Sequence, residues 1–590
     1  VSTLTEASPG SLRRIRRGWT SADAIASIAI AVGVLGTLAV GTQVYLRGDD
    51  WVLLATVAEQ GFAAGDLLTP YGSHLMPLGL LVFWVSRAVG GPTPWWWLVG
   101  FGTVIASAAL TFTWLCIRAL VGPRARAVVP FLIAAWAPGV MTAVLWPSPS
   151  VYMTPLFLAT AAGLWGYLRF RLTGRRSGQV VALLGLGLGL LACELALFIP
   201  IVLFVVGVSW FGTGTVAEGI TSTWSRSRWM WLGMTAMTVL YAGVYLALAL
   251  EAQTLPEQRA GLDLLVEALM IMGLQTLPTM IVGGPWMWND AMGPIGALPG
   301  PVYLVVAVVA WSVLALGRRA RWRAWWPLLT ILLLTVLALS AARIATFGPS
   351  VVRNPYYGLG ALSLLSITLA VCYLPSALPI DRPERRGPGR FALVAATGVL
   401  AVSVLVAFST YSAAVPRAPS RDYIAAARTS LSEPSLNVSS PREAFGVFLH
   451  EAPWDTSAHT FDLVGVPGSW VESGQTPEML DEDGLRAPAG IEDEAAFDLP
   501  DICIPIAQGV RMTMPPFREP NWPTFRLAYT AGSDVEGFVD IGGARTPLLF
   551  RTGDNTVTFV GDGRPDDLVL WAPDVCVRAL GMGPPAPTAE

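Results

Sequence analysis

The sequence predicts a polytopic α-helical membrane protein of about eleven transmembrane helices with a C-terminal extracytoplasmic β-sandwich domain. Three observations predict it. The 590-residue chain is 53% hydrophobic, with a mean hydropathy of +0.55. Its charged fraction is 13%, about half the roughly 25% of soluble domains. Its charge is also unevenly spread: from residue 416 onward there are 12 arginines against 26 carboxylates, and before it 26 arginines against 15. These values exclude a single soluble globule, a disordered chain, and a nucleic-acid-binding protein with a broad basic face.

A span needs about 20 apolar residues, and basic clusters mark cytoplasmic loops. The first run, 22–46, follows Arg13, Arg14, Arg16 and Arg17, which places the N-terminus inside. It is too long for the apolar segment of a signal peptide and is read as an uncleaved helix. Further arginine clusters stand at 124–126, 169–176, 226–228, 318–323 and 382–390. The runs 95–120, 128–146, 151–168, 179–192, 195–211, 229–250, 302–317, 326–343, 358–378 and 391–412 pair between them so that every cluster lies inside. Eleven spans from an inside N-terminus leave the acidic part outside.

The expected organisation is therefore a cytoplasmic tail at 1–21, a membrane domain at 22–413 with outer loops at 47–94 and 251–301, and an extracytoplasmic, mainly β domain at 414–590. The apolar stretches 74–89 and 262–282 would each add an odd span, so both are expected at the outer interface. A reading in which both cross together keeps the same parity and stays open. Trp95, Trp96, Trp97, Trp286 and Trp288 suit the interface, because indoles favour the headgroup zone.

Beyond residue 412 a short helix is expected at 420–431. Alternating runs follow at 511–514, 525–529, 537–541, 546–551, 555–560 and 567–571, punctuated by Gly-Asp turns, which is the pattern of an antiparallel sandwich. Cys503 and Cys576 are the only cysteines of this part and form the one expected disulfide if it faces an oxidising compartment. Cys116, Cys193 and Cys372 lie in apolar runs and read as packing residues.

Two adjacent carboxylates, Asp49 and Asp50, stand directly beyond the first run. Desolvation on one side strengthens a carboxylate as a base. At the outer face it is placed to take a proton from a hydroxyl arriving from water while a lipid substrate lies in the bilayer. The alternative is that the pair caps the helix beginning at Trp51. The residues alone leave the two readings level.

A longer pattern adds to them. Asp49-Asp50, the stretch from Ala55 to Gly61, Gly65-Asp66-Leu67-Leu68-Thr69-Pro70 and His74-Leu75-Met76-Pro77-Leu78 together resemble the first outer loop of GT-C membrane glycosyltransferases. The resemblance is to the protein-mannosyltransferase and aminoarabinose-transferase group, which has an acidic pair after the first helix, a Gly-Asp turn and a His/Lys-Pro-Pro-Leu turn. Leu75-Met76-Pro77 departs from it, since the family usually has two prolines there.

The resemblance implies a GT-C-like fold, a sugar donor on polyprenyl phosphate, and inversion at the anomeric carbon. It makes Asp49 the general base and Asp50 its neighbour in the site, with the order of the pair open. A lipid-phosphate leaving group calls for a cation. Arg343 and Arg353, beside Tyr356, are the donor-phosphate candidates together with His74. For the arginines, snorkelling to headgroups is the alternative. Glu194, the one acid within 179–211, and Asp290 and Trp288 of the second outer loop are acceptor-binding candidates. For Glu194 a simple turn is the alternative, and for Trp288 interfacial anchoring.

No Walker A or Rossmann motif points to a nucleotide-sugar donor. The cofactor is unknown: no spacing requires a metal, and the class includes members with and without a divalent cation, so that question stays open. Trp470, Trp522 and Trp571 of the outer domain are available to stack on a glycan. The expected partners are a polyprenyl-phosphate sugar, an envelope glycan, glycolipid or protein acceptor, and membrane lipids, with no nucleic acid. The lysine-free, Ala/Arg/Gly-rich composition resembles that of high-GC actinobacteria, which use such enzymes to build arabinan and mannan envelope polymers. Two other readings remain: a lipid-linked sugar flippase or transporter, which predicts internal repeats and interrupted helices with polar midplane residues, and a non-catalytic envelope scaffold.

Overall fold

A computed structural model describes residues 19–587 except 60–61, 64, 72–73, 252–259, 290–294, 379–389, 415–418, 432–433, 439–456, 467, 472, 476, 482, 492–494, 497–502, 514–523, 542–543 and 562–566. The chain divides into two compact units. One comprises Val1–Val44, Phe62–Val89 and Pro94–Pro416, the other Tyr45–Gly61, Gly90–Thr93 and Arg417–Glu590. Part of the first expected outer loop therefore folds with the C-terminal residues. Its helix Asp49–Glu59 buries Trp51, Leu53 and Leu54 completely. It packs on helix Ser457–Leu463, and Arg421 covers the ring of Tyr45 at 4.7 Å.

All eleven expected spans are helical. Among the described residues nine helices are long and apolar enough to cross a membrane. Ala125–Ala135 and Pro138–Val144 form a further pair bent by 43°, broken where Pro138 opens the second helix. Two expected spans are shorter, at Ser177–Ala192 and Gly300–Ser312. The stretch 262–282, expected at the interface with a crossing left open, is helical. Leu262–Ile281 is a 20-residue apolar helix, long enough to span. It holds together through a wide π turn at Met272–Thr276 that absorbs a residue without breaking the helix.

Burial sorts these helices. Pro147–Thr173 and Pro355–Tyr373 are 89% and 94% buried over their most apolar windows, whereas Val216–Glu251 and Leu393–Ala414 are 11% and 17% buried. The first two form the centre of the unit and the other two its apolar rim. The centre is tight because glycines let backbones meet. A Cβ on Gly166 would stand 2.6 Å from the Gly178 carbonyl oxygen and the Ala182 nitrogen, so helices Pro147–Thr173 and Ser177–Ala192 touch along their backbones.

The C-terminal unit is built around strands β1 (Val510–Thr513), β2 (Thr524–Ala531), β3 (Val535–Ile541), β4 (Ala544–Phe550), β5 (Gly553–Val560), β6 (Asp567–Trp571) and β7 (Val575–Gly583). One antiparallel sheet has the order β1-β6-β3-β4. The other centres on β5-β2-β7, extended by Ser473–Gly474 beside β5 and Ala495–Ala496 beside β7. Alternate residues face inward, as period-2 patterning requires. Phe525, Leu527 and Tyr529 meet Val539, Ile541, Leu548 and Phe550 in a wholly buried core. Helix Pro419–Ser430 precedes the sheets, as expected. Cys503 and Cys576 are joined in a disulfide, with their Cα atoms 5.3 Å apart. Of the three remaining cysteines, Cys116 and Cys193 are buried and Cys372 is half-buried.

Candidate active site

In the membrane unit three residues distant in sequence come together. Each is delivered by the end of an element. His74 pairs its backbone with Tyr71 in a two-bond bridge, and Pro77 then opens helix Pro77–Gly90. Glu194 follows Cys193, whose extended backbone (φ −171°, ψ 165°) stops helix Ser177–Ala192 and starts the 3-10 turn Glu194–Phe198. Arg343 caps helix Trp326–Ala342 in a non-helical conformation.

Their side chains form a chain of hydrogen bonds. His74 Nδ1 lies 2.8 Å from Glu194 Oε1, and Arg343 Nη2 lies 2.9 Å from His74 Nε2. A guanidinium only donates, so Nε2 is the acceptor and the ring proton sits on Nδ1, from which it is donated to Glu194. The imidazole stacks on Tyr152 at 5.0 Å, and the Tyr241 hydroxyl donates to the neighbouring Leu75 carbonyl at 3.0 Å. The His74 side chain is 9% exposed and that of Glu194 20%. Glu194 Oε2 is buried and has no hydrogen-bond partner among the described residues. Tyr356 is buried within electrostatic reach of Arg343 and packs edge-on to Trp146.

The other candidates are held elsewhere. Arg353 Nε donates to Gln275 Oε1 at 2.9 Å, and its guanidinium lies over the Tyr303 ring. Gln275 belongs to the π turn, so the wide turn presents the acceptor that orients Arg353. Trp288 donates its indole N–H to the Ala407 carbonyl at 3.1 Å and packs against Tyr411. Trp286 donates to Ser403 at 2.7 Å. Both indoles therefore clamp helix Arg390–Ala414, which is an anchoring role. Asp290 and Trp522 lie outside the described residues.

Asp49 and Asp50 belong to the second unit. Gly48, at φ +49°, turns the chain into helix Asp49–Glu59, a conformation that favours glycine. Asp50 is fully buried, and its Oδ2 accepts the Arg47 backbone N–H at 2.9 Å. The bond closes the turn that leads into the helix. Asp49 stays half-buried in the first turn. The pair is thus divided: one carboxylate stabilises the turn, and the other keeps access to solvent.

Among the described residues no three His, Cys, Asp or Glu side chains are grouped to hold a metal ion. In the β unit Trp470 stacks on Phe461, and Trp571 stacks on Phe538, whose ring lies under Arg545 at 4.4 Å.

Sequence reasoning singled out His74, Glu194 and Arg343, assigning His74 and Arg343 to the donor phosphate and Glu194 to the acceptor. It missed Tyr152 and Tyr241, which sit in ordinary apolar helices and carry no local signal.

The chain is a polytopic membrane protein with a C-terminal β domain. No protein-family model matches it, and no curated protein matches it in sequence. Solved structures do align with it. The crystal structure of ArnT from Cupriavidus metallidurans bound to undecaprenyl phosphate aligns with 15% identity and a TM-score of 0.43, over 76% of this chain and 85% of that one. The apo state of the same protein aligns with 14% identity and a TM-score of 0.44, over 77% and 86%. The arabinofuranosyltransferase AftD from Mycobacteria aligns with 11% identity and a TM-score of 0.34; 95% of this chain is covered but only 58% of AftD.

Proposed function

We propose that the chain is an integral-membrane glycosyltransferase. It moves a sugar from a polyprenyl-phosphate donor to a hydroxyl of an extracytoplasmic glycan, glycolipid or protein, with inversion at the anomeric carbon. In this reading the N-terminus is cytoplasmic and the C-terminal domain extracytoplasmic. The observation that carries the reading is the buried cluster of Arg343, His74 and Glu194. Ionisable groups inside a membrane unit are costly and by default mark function. Here a planar guanidinium suited to bidentate phosphate binding meets the histidine of the motif that resembles the glycosyltransferase loop.

The roles follow from chemistry. A sugar phosphodiester leaves with a new negative charge on phosphate, and a preorganised cation stabilises that charge as it develops. Arg343 is assigned this task, with Tyr356 beside it; Arg353, oriented by Gln275, is assigned a supporting contact to the donor. Asp49 is assigned as the base that removes the acceptor proton, because it keeps access to solvent. Asp50, whose carboxylate is committed to the Arg47 N–H, is the positioning residue of the pair.

The test is release of polyprenyl phosphate by the full chain in lipid, given a panel of polyprenyl-phosphate sugars and envelope glycan acceptors. Asp49→Asn is expected to lower kcat by about 10³-fold, in line with loss of a general base, with donor KM little changed. Asp50→Asn is expected to lower it less. Equal turnover by wild type and Asp49→Asn removes Asp49 as the base. No turnover with any donor overturns the enzyme reading.

A further inference from the structure

We infer that His74 is a proton donor to the departing phosphate and that Glu194 is the positioning residue that makes it one. The inference rests on the glycosyl-transfer reading above and deepens it. As the structure stands, Arg343 donates to Nε2, and the imidazole gives its single proton to Glu194. In that state it has nothing to donate to a substrate.

Two features show how this changes when a donor binds. A phosphate oxygen carries charge and is a stronger partner for a guanidinium than a neutral ring nitrogen. Arg343 therefore turns from His74 to the phosphate and releases Nε2. Glu194, for its part, is a mostly buried carboxylate with Oε2 unsatisfied. An under-satisfied buried anion is best compensated by a cation next to it. Once Nε2 is released, it takes a proton from water, and the imidazolium is held by Glu194 through Nδ1. Its Nε2–H then points where the guanidinium had been, toward the phosphate.

The ring cannot drift from this position, because it is stacked on Tyr152 and its loop is tied by Tyr241 to the Leu75 carbonyl. The titratable and charged groups around it are Glu194 on the 3-10 turn, Arg343 at its helix end, Tyr152 on the central helix, Tyr241 and Tyr245 on the rim helix, and Tyr356. Among these Glu194 is the one anion that touches the ring.

The step balances. The acceptor oxygen forms its bond to the anomeric carbon while the bond from that carbon to the phosphate oxygen breaks. The electron pair stays on the phosphate oxygen, which takes the Nε2 proton of His74. The acceptor's proton goes to its general base and from there to water. Polyprenyl phosphate leaves as a monoanion, and neutral His74 again accepts from Arg343. Water then returns a proton to His74 in the next cycle.

The experiment is a pH profile of kcat and donor KM, read as polyprenyl-phosphate release by the full chain in lipid. Glu194→Gln keeps the hydrogen bond from Nδ1 but removes the charge. It is expected to lower kcat about tenfold or more near neutral pH and to leave donor KM within about threefold. It should move the alkaline limb of the kcat profile to lower pH, since the charge that holds the imidazolium is gone. Glu194→Asp, which keeps the charge, should hold that limb near its wild-type position; it also serves if the Gln variant does not fold. His74→Gln should abolish the limb. A limb that does not move in Glu194→Gln, or a loss confined to KM, overturns the proton-donor role while leaving glycosyl transfer standing. A wild type that turns over no donor overturns both.

Discussion

Charged side chains are used differently in the two units. In the membrane unit the described polar contacts between charged groups are few and lie inside. Asp23, at 2% exposure, is bound by Trp114 at 3.0 Å and Arg118 at 3.2 Å, and His74 joins Glu194 and Arg343. In the β unit, Arg511–Asp567, Arg545–Asp540, Arg551–Asp534 and Arg578–Asp554 lie at the surface, over an apolar cluster that includes Phe525, Leu527 and Phe550. Exposed pairs contribute little, whereas a buried charge that loses its partner is costly. The comparison teaches that substitutions of the buried charges of the membrane unit should act on chemistry, whereas those of the surface ion pairs of the β strands should act only weakly, on stability.

The strongest challenge to this contrast is Arg343→Met, which keeps an unbranched stem and removes the charge. It should reduce polyprenyl-phosphate release by about 10²–10³-fold, the size of one lost electrostatic contact to a developing anion. An activity near wild type would show that the interior charges of the membrane unit are structural. In the β unit the largest effect should come from a covalent bond and not from a charge. Replacing Cys503 and Cys576 by alanine opens a loop spanning 73 residues. It should cost about 2–4 kcal/mol of stability, read as a lower guanidinium midpoint of the full chain.

Smaller still is Tyr529→Phe. The buried Tyr529 hydroxyl accepts the Arg551 backbone N–H and a Gln475 side-chain N–H, each at 2.8 Å. Its loss should cost about 1–2 kcal/mol. The smallest effect is that of Asp534. Its carboxyl is held down at about 2 by the Thr552 backbone N–H, the Arg551 guanidinium and the Thr552 hydroxyl. A group with a depressed folded pKa contributes its stability above the unfolded value, and that stability is lost as pH falls through the folded one. The melting difference between wild type and Asp534→Asn should therefore be constant from neutral pH down to about 4 and close between there and about 2. A difference that persists at the acid end would break the account of this turn.

How far the sequence foretold each unit follows from the range of its interactions. The six expected sandwich strands are all present because alternation is local. The strand Val575–Gly583 was missed: its pairing with β2 slips between Ala528 and Tyr529, and glycines at 581 and 583 blur the pattern. The helix Leu262–Ile281 was apolar enough to see, but parity alone left its placement open. In the site, His74, Glu194 and Arg343 each stood out singly, but His74 is 120 residues from Glu194 and 269 from Arg343, and no local rule joins them. The partner of Trp288 was hidden for the same reason, since the carbonyl that takes its indole proton is 119 residues away.

The central claim is that the sugar changes its bond and does not merely cross the bilayer on its lipid. The direct measurement follows a polyprenyl-phosphate donor labelled in the sugar, with the full chain reconstituted in vesicles and an acceptor glycan outside. The account predicts one labelled sugar joined to acceptor for each polyprenyl phosphate released, and neither product without the acceptor. Label that moves between leaflets still attached to its lipid, with no phosphate released, would contradict it and make the chain a flippase.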